Sequence, residues 1–228
     1  MARGGVRLND AKRRKNDEFY TQHADIENEL RHYDLRCKRV YCNCDDPSFS
    51  NFWKYFHDNF ERLGIKHLTA TYYSRSEIVY KWEYDGFEDK KTRLMGSGDF
   101  RSPECVEILK NSDVVVTNPP FSLFKEFFGV LWENGVDFLV LGALHMVGYR
   151  GMRTHLEDRE VRLGVNCGSM TFEVPSHYIA EVGEDGKKRA ALANACWFTT
   201  LENDHKIAPL TLTRKYDPEL YIPYINYP

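Results

Sequence analysis

The run Val114-Val115-Val116 constrains this chain more than any other feature, because three β-branched residues in succession leave a strand with no polar face. Such a strand is buried on both sides, which is the environment of a parallel sheet covered by helices. The run, Asp113 to Thr117, passes straight into Asn118-Pro119-Pro120-Phe121, and Ser122 to Glu133 then carries Phe124, Phe127, Phe128 and Leu131 at helical spacing. Strand, proline-locked turn and amphipathic helix together make half of a crossover unit.

The flanking sequence repeats this alternation. Arg39 to Cys42 reads as a short strand, Asp45-Asp46-Pro47 turns the chain, and Ser50 opens a helix bearing Phe52, Trp53, Phe56, Phe60 and Leu63 that stops at Gly64. Ahead of it, Thr21 to Tyr33 is expected to be a helix with Thr21 as its cap. A second strand is expected over His67 to Tyr73, a hairpin over Ile78 to Leu94 around Asp85-Gly86, a helix over Pro103 to Lys110, and a further buried strand over Val136 to Leu141. From about Thr154 the chain breaks into turn-punctuated segments, including Ser169 to Val174 and Ala193 to Thr200, expected to be antiparallel strands at the far edge of the sheet. The predicted fold is layered α/β: a central, mostly parallel sheet with an antiparallel edge and helices on both faces.

The proline turn carries the chemistry. Two prolines remove backbone donors where a parallel strand reaches the ligand crevice, so this turn presents acceptors only. The Asn118 side-chain oxygen and the Pro119 carbonyl can each accept a hydrogen bond from a planar amino group, drawing its nitrogen lone pair toward a methyl donor. Phe121 offers a face for stacking a base. An Asn-Pro-Pro tripeptide alone is usually just a turn, and it is the valine strand before it and the aromatic helix after it that select the chemical reading.

Composition narrows the setting. The net charge is −3, yet Arg3, Arg7, Lys12, Arg13, Arg14 and Lys15 crowd the N-terminal tail, which suits contact with phosphates. No apolar run approaches the roughly 18 residues of a membrane-spanning helix. The six cysteines are expected to be thiols in a reducing, cytoplasmic setting, since a chain of 228 residues needs no disulfide staples. The spacing of Cys37, Cys42 and Cys44 with His32 or His67 matches no common zinc site, so no metal is expected.

The order of these segments resembles the EcoRI-type adenine-specific DNA methyltransferases. The resemblance rests on Lys15-Asn16-Asp17-Glu18-Phe19-Tyr20-Thr21-Gln22, Cys44-Asp45-Asp46-Pro47 with Ser50-Asn51-Phe52, Gly98-Asp99-Phe100, Asn118 to Phe121, and Ala195-Cys196-Trp197-Phe198-Thr199. It implies a Rossmann-like methyltransferase fold and S-adenosylmethionine as cofactor. Phe19, Tyr20 and Thr21 would line its methionine end. Asp45, Asp46, Pro47, Ser50 and Asn51 would form its loop, in which carboxylates or backbone donors at the Ser50 helix start meet its charged groups. Asp99 would hold its adenine amino group while Phe100 packs on the ring. Asn118, Pro119, Pro120 and Phe121 would be catalytic, acting on an adenine flipped out of the duplex. Unlike many relatives, Thr71-Tyr72-Tyr73-Ser74 supplies no acidic residue for the ribose. The resemblance implies double-stranded DNA as partner and allows for a cognate restriction endonuclease.

Residues 1–14 are expected to be a basic tail, 15–205 the methyltransferase domain, and 206–228 an extended segment that begins a truncated target-recognition region. Site recognition would then fall to His145 to Lys188, to Trp82 to Arg93 and to the tail. Two other functions fit the same residues: methylation of an RNA adenine or a protein glutamine, and noncatalytic binding of DNA or cofactor.

Overall fold

The computed structural model describes residues 20–174, 180–183 and 186–204. Its described strands are β1 (Tyr20–Thr21), β2 (Arg39–Cys42), β3 (His67–Ala70), β4 (Tyr80–Tyr84), β5 (Asp89–Arg93), β6 (Val114–Thr117), β7 (Asp137–Ala143), β8 (Arg162–Glu173), β9 (Glu181–Val182) and β10 (Lys188–Thr199). They form one sheet in the order β1-β8-β10-β7-β6-β2-β3-β4-β5, with β9 on β10. The helices are α1 (His23–Leu30), α2 (Asn51–Asp58), α3 (Phe60–Leu63), α4 (Pro103–Lys110), α5 (Phe124–Glu133) and α6 (Arg150–Glu157).

The valine strand lies where its composition demands. Val114, Val115 and Val116 are fully buried; Val114 and Val116 join one core with Ile26, Leu30, Phe52 and Phe56, while Val115 joins another with Phe124, Phe127, Leu131 and Phe138. Helices α1 and α2 therefore cover one face, and α4, α5 and α6 the other.

The sheet is not mostly parallel. Only β3-β2, β2-β6 and β6-β7 pair in parallel, and the other six pairings among the described residues are antiparallel. The parallel four-stranded centre has an antiparallel extension on each side, not on one. One extension is the hairpin β4-β5, which joins the sheet through β3; Asp85 accepts from the Phe87 and Glu88 N–H groups at its turn. The other is built on two strands of 12 residues each, β8 and β10, where the sequence suggested shorter pieces. Glycine and bulges punctuate these strands without ending them.

Smaller differences have local causes. Thr21 is not a helix cap: it pairs with Phe172 in a short strand, and α1 begins two residues later. β3 ends at Ala70, because the Thr71 N–H and carbonyl bond instead to the Cys42 carbonyl and the Asp45 N–H. The helix opened by Ser50 breaks at Asn59 and resumes as α3, which ends at Gly64 in the left-handed conformation with φ of 61°. Helix α6 has no counterpart in the sequence reading. Cys167 and Cys196 face each other across β8 and β10, with Cα atoms 4.3 Å apart. Among the described residues no helix is long and apolar enough to cross a membrane, and no group of three or more His, Cys, Asp or Glu side chains could hold a metal ion. The tail 1–14 and the segment 206–228 lie outside the described residues.

Candidate active site

A cleft opens at the C-terminal ends of β2 and β6, between strands whose connections run to opposite sides of the sheet. That is where open α/β sheets bind ligands, because the diverging connections leave a crevice. Tyr20, Thr21, Cys44, Asp45, Asp46, Ser50, Asn51, Phe52, Asn118 and Pro120 line it, around about 490 Å³ of space that includes its open mouth. Its enclosed part is about 90 Å³, smaller than the roughly 300–1,000 Å³ of small-molecule sites, so a ligand of that class would extend through the open mouth.

The lining unites segments far apart in sequence. β1 brings Tyr20 and Thr21, and the Asn51 side chain donates to the Thr21 carbonyl at 2.8 Å, fixing β1 beside α2. The turn after β2 brings Asp45 and Asp46. The Asp46 carboxylate accepts from the Ser48 N–H at 2.9 Å, and its carbonyl accepts from Ser50 N–H at 2.7 Å. Ser50 caps α2, its oxygen accepting from the Phe52 and Trp53 N–H groups, so those two donors are already engaged. β6 delivers Asn118 and Pro120 to the opposite wall.

Asp45 is the electrostatic centre. It is 8% exposed, and burial pushes its carboxyl up to about 6, against the opposing pull of hydrogen bonds from Thr117 and Ser50. Ser50 Oγ donates to one carboxylate oxygen at 2.7 Å and Thr117 Oγ1 to the other. The neighbouring Cys42 and Cys44 thiols are pushed up by burial and then by the Asp45 charge.

Other expected site residues sit elsewhere. Phe121 is 3% exposed and packs edge-on against Phe172, with ring centroids 6.3 Å apart, so in this structure its ring belongs to the core and not to the cleft lining. Pro119 is buried and Pro47 half-buried, neither in the lining. Asp99 binds Arg101 through both oxygens, at 2.9 and 2.7 Å, which holds its carboxyl below the usual range. Its charge adds slightly to the upward push on the Cys44 thiol, but Asp99 is not in the cleft lining. Phe100 is buried against Phe127, centroids 5.2 Å apart, with the Arg101 guanidinium over its ring. Phe19 lies outside the described residues. The sequence reading missed Cys44 and Phe52 in the lining and Thr117 behind it; a hydroxyl ending a run of valines was the available signal for Thr117.

The residues fit S-adenosylmethionine. The hydroxyl oxygen of Thr21 is buried with no hydrogen-bond partner among the described residues, and a polar ligand group would satisfy it. Asp45 offers a carboxylate to a cation, and Tyr20 and Phe52 offer aromatic surface. Ligand contacts would fall to Tyr20, Thr21, Asp45, Asp46 and Asn51.

The family model for adenine-specific methyltransferase EcoRI matches residues 7–228. The chain is 39% identical over 258 residues to the Type II methyltransferase M.EcoRI of Escherichia coli, an alignment covering all of this chain and 79% of that protein. It is 39% identical over 219 residues to M.MpnI of Mycoplasma pneumoniae, covering 92% of this chain and 69% of that one. A third Type II methyltransferase, from Mycoplasma genitalium, is 37% identical over 208 residues, covering 87% of this chain and 66% of its own. No solved structure matches the chain. The cleft, its asparagine-proline wall and these relatives converge: the chain belongs to the EcoRI family of adenine-specific methyltransferases.

Proposed function

We propose that this chain transfers a methyl group from S-adenosylmethionine to the exocyclic amino group of adenine in double-stranded DNA. The observation that carries this reading is the presence of Asn118 and Pro120 on one wall of the same cleft whose other wall holds Thr21, Asp45 and Asn51. Bound S-adenosylmethionine supplies an electrophilic methyl group on a cationic sulfur. The Asn118 side-chain oxygen and the Pro119 carbonyl accept hydrogen bonds from the adenine amino group, concentrating lone-pair density on its nitrogen. Asp45 attracts the cationic ligand, and the buried walls exclude water from the reacting atoms. The adenine leaves the duplex to enter, since its amino group is otherwise engaged in base pairing.

The parallel centre β3-β2-β6-β7 serves as the Rossmann-like core of this enzyme. In this reading Phe121 stacks on the base only after its ring leaves Phe172, and Asp99 and Phe100 serve the cofactor only after Arg101 and Phe127 give way. The work is cytoplasmic, and a cognate restriction endonuclease is the natural partner of a Type II activity. The test is incorporation of labelled methyl from S-adenosylmethionine into adenine of duplex DNA. We expect Asn118→Ala to lower the rate on the order of 10²–10³-fold, as loss of one preorganised polar group at a reacting atom does. Label entering RNA or protein and not duplex DNA overturns the proposal.

A further inference from the structure

Thr117 has no assigned role, and its chemistry is out of keeping with its strand. It is 0% exposed and follows three buried valines, so burial alone would favour a fourth valine, nearly the same shape without a polar atom. Its hydroxyl is instead spent on Asp45. The Asp45 carboxyl is consequently held by two hydroxyls from two elements: Thr117 at the end of β6, and Ser50 at the start of α2. Ser50 in turn accepts from the first N–H groups of α2, and the Asp45 N–H donates to the Thr71 carbonyl beyond β3. The carboxyl thus joins the ends of β2 and β6 and the start of α2 at one point under the cleft. The next residue after Thr117 is Asn118.

We propose that Thr117 is a positioning residue: its hydroxyl ties the cofactor-side loop to the turn carrying Asn118, so that the two walls of the cleft move as one frame. This rests on the methyltransferase reading. It goes beyond it by assigning the alignment of donor and acceptor walls to a side chain that lines neither. Loss of the tie leaves a buried carboxyl with one donor instead of two, which disfavours its charged form. The other titratable groups around Asp45 are the Cys42 thiol from β2 and Cys44 from the same turn, which feel its charge, and Asp46 and Tyr20, which share the cleft lining. Neither β6 nor α2 adds a titratable group to the lining, their contributions to the carboxyl being Thr117 and Ser50.

The experiment uses the full chain with Thr117→Val, which keeps the shape, and Thr117→Ser, which keeps the hydroxyl. The first readout needs neither cofactor nor activity: the carbon-13 shift of the Asp45 carboxyl is followed against pH. We expect Thr117→Val to raise its midpoint by about one unit, roughly tenfold in the protonation equilibrium, and Thr117→Ser to restore it. The second is single-turnover methyl transfer to duplex DNA with S-adenosylmethionine saturating, where we expect Thr117→Val to lose about tenfold and Thr117→Ser to stay within about threefold of wild type. A midpoint that does not move, or a valine variant that transfers as fast as the serine variant, overturns the proposal. Should Thr117→Val fail to fold, Thr117→Ala is put through the same two measurements. A wild-type chain inactive on duplex DNA overturns the methylation reading by itself; the carboxyl titration then still decides whether Thr117 holds Asp45.

Discussion

Two buried carboxylates hold this molecule together at different places, and they are built differently. Glu29, on α1, is fully buried and accepts four hydrogen bonds: Tyr33 hydroxyl at 2.6 Å, Val165 N–H at 2.9 Å, and the Asn166 N–H and side-chain amide at 2.8 Å each. Asp45, under the cleft, receives two, both from hydroxyls. A carboxylate can accept about four. Glu29 is therefore saturated and pins α1 to β8, whereas Asp45 keeps acceptor capacity on the side where it lines the cleft. A saturated buried charge acts as a fastener, while one with capacity left over is suited to receive a ligand.

The largest effect expected from this contrast is at Glu29. Glu29→Ala strands the Val165 and Asn166 N–H groups and opens a cavity, and should cost about 3–5 kcal/mol in urea unfolding. Since α1 follows β1, cofactor binding should weaken only as the fold does. The same removal at Asp45 should separate the two properties. Asp45→Asn ends the burial of a charge while leaving both hydroxyl partners something to bond, so stability at neutral pH should not fall, yet S-adenosylmethionine affinity should drop at least about tenfold, the value of one charge-assisted contact. Equal losses of stability at the two sites would break the comparison.

The pH dependence sharpens it. A carboxyl raised in the folded state to about 6 from 3.8 binds a proton that the unfolded chain has already lost. Its contribution to stability is therefore largest below about pH 4, declines as pH rises toward 6, and is constant above that, a change on the order of 3 kcal/mol. Ligand affinity should run the other way, weakening as pH falls through 6, because only the charged carboxylate attracts a cation. Unfolding and ligand titrations between pH 4 and 8 should show both trends in wild type and neither in Asp45→Asn.

How much of this was legible in the sequence follows from how local each signal is. The strand at Val114 to Thr117 and the turn at Asn118 could be read because burial on two faces and proline chemistry are written in adjacent residues. The sheet's second antiparallel extension could not, because β4 pairs with β3 through contacts that the hairpin's own alternation does not announce, and β8 and β10 conceal their length behind glycines and bulges. The same distinction applies within the site. Asp45, Ser50 and Asn51 stand close together in sequence, and all three line the cleft. The hydroxyl of Thr117 acts on a residue 72 positions away, and only the coordinates bring the two together. Phe100 and Phe121 illustrate the converse, since an aromatic beside a motif residue carries no mark in sequence that says whether it faces ligand or core.

A smaller effect is expected where a glycine serves the Glu29 fastener. At Gly164 an added Cβ would lie 2.3 Å from a Glu29 carboxylate oxygen and 2.5 Å from the Trp197 Cβ, so both the Glu29 side chain on α1 and Trp197 on β10 have to give way. Gly164→Ala should cost about 1–3 kcal/mol of stability, as overpacking does, with the Asp45 titration unmoved. A shifted Asp45 midpoint would mean that the two fasteners communicate.

The smallest effect is the most discriminating. Asn166→Ala removes one donor from Glu29, and Ser50→Ala removes one from Asp45, so each deletes a single hydrogen bond to a buried carboxylate. At Glu29 three donors remain, two of them backbone N–H groups that no side-chain change removes, and the loss should be only about 1 kcal/mol. At Asp45 one donor remains. The carboxyl midpoint should move upward, because the Ser50 bond favours the charged form, and α2 also loses its cap. If the two substitutions cost the same and the Asp45 midpoint stays put, capacity for further hydrogen bonds is not what distinguishes the cleft carboxylate from the structural one. The case for Asp45 as the group that meets the ligand would then have to rest on its position in the lining alone.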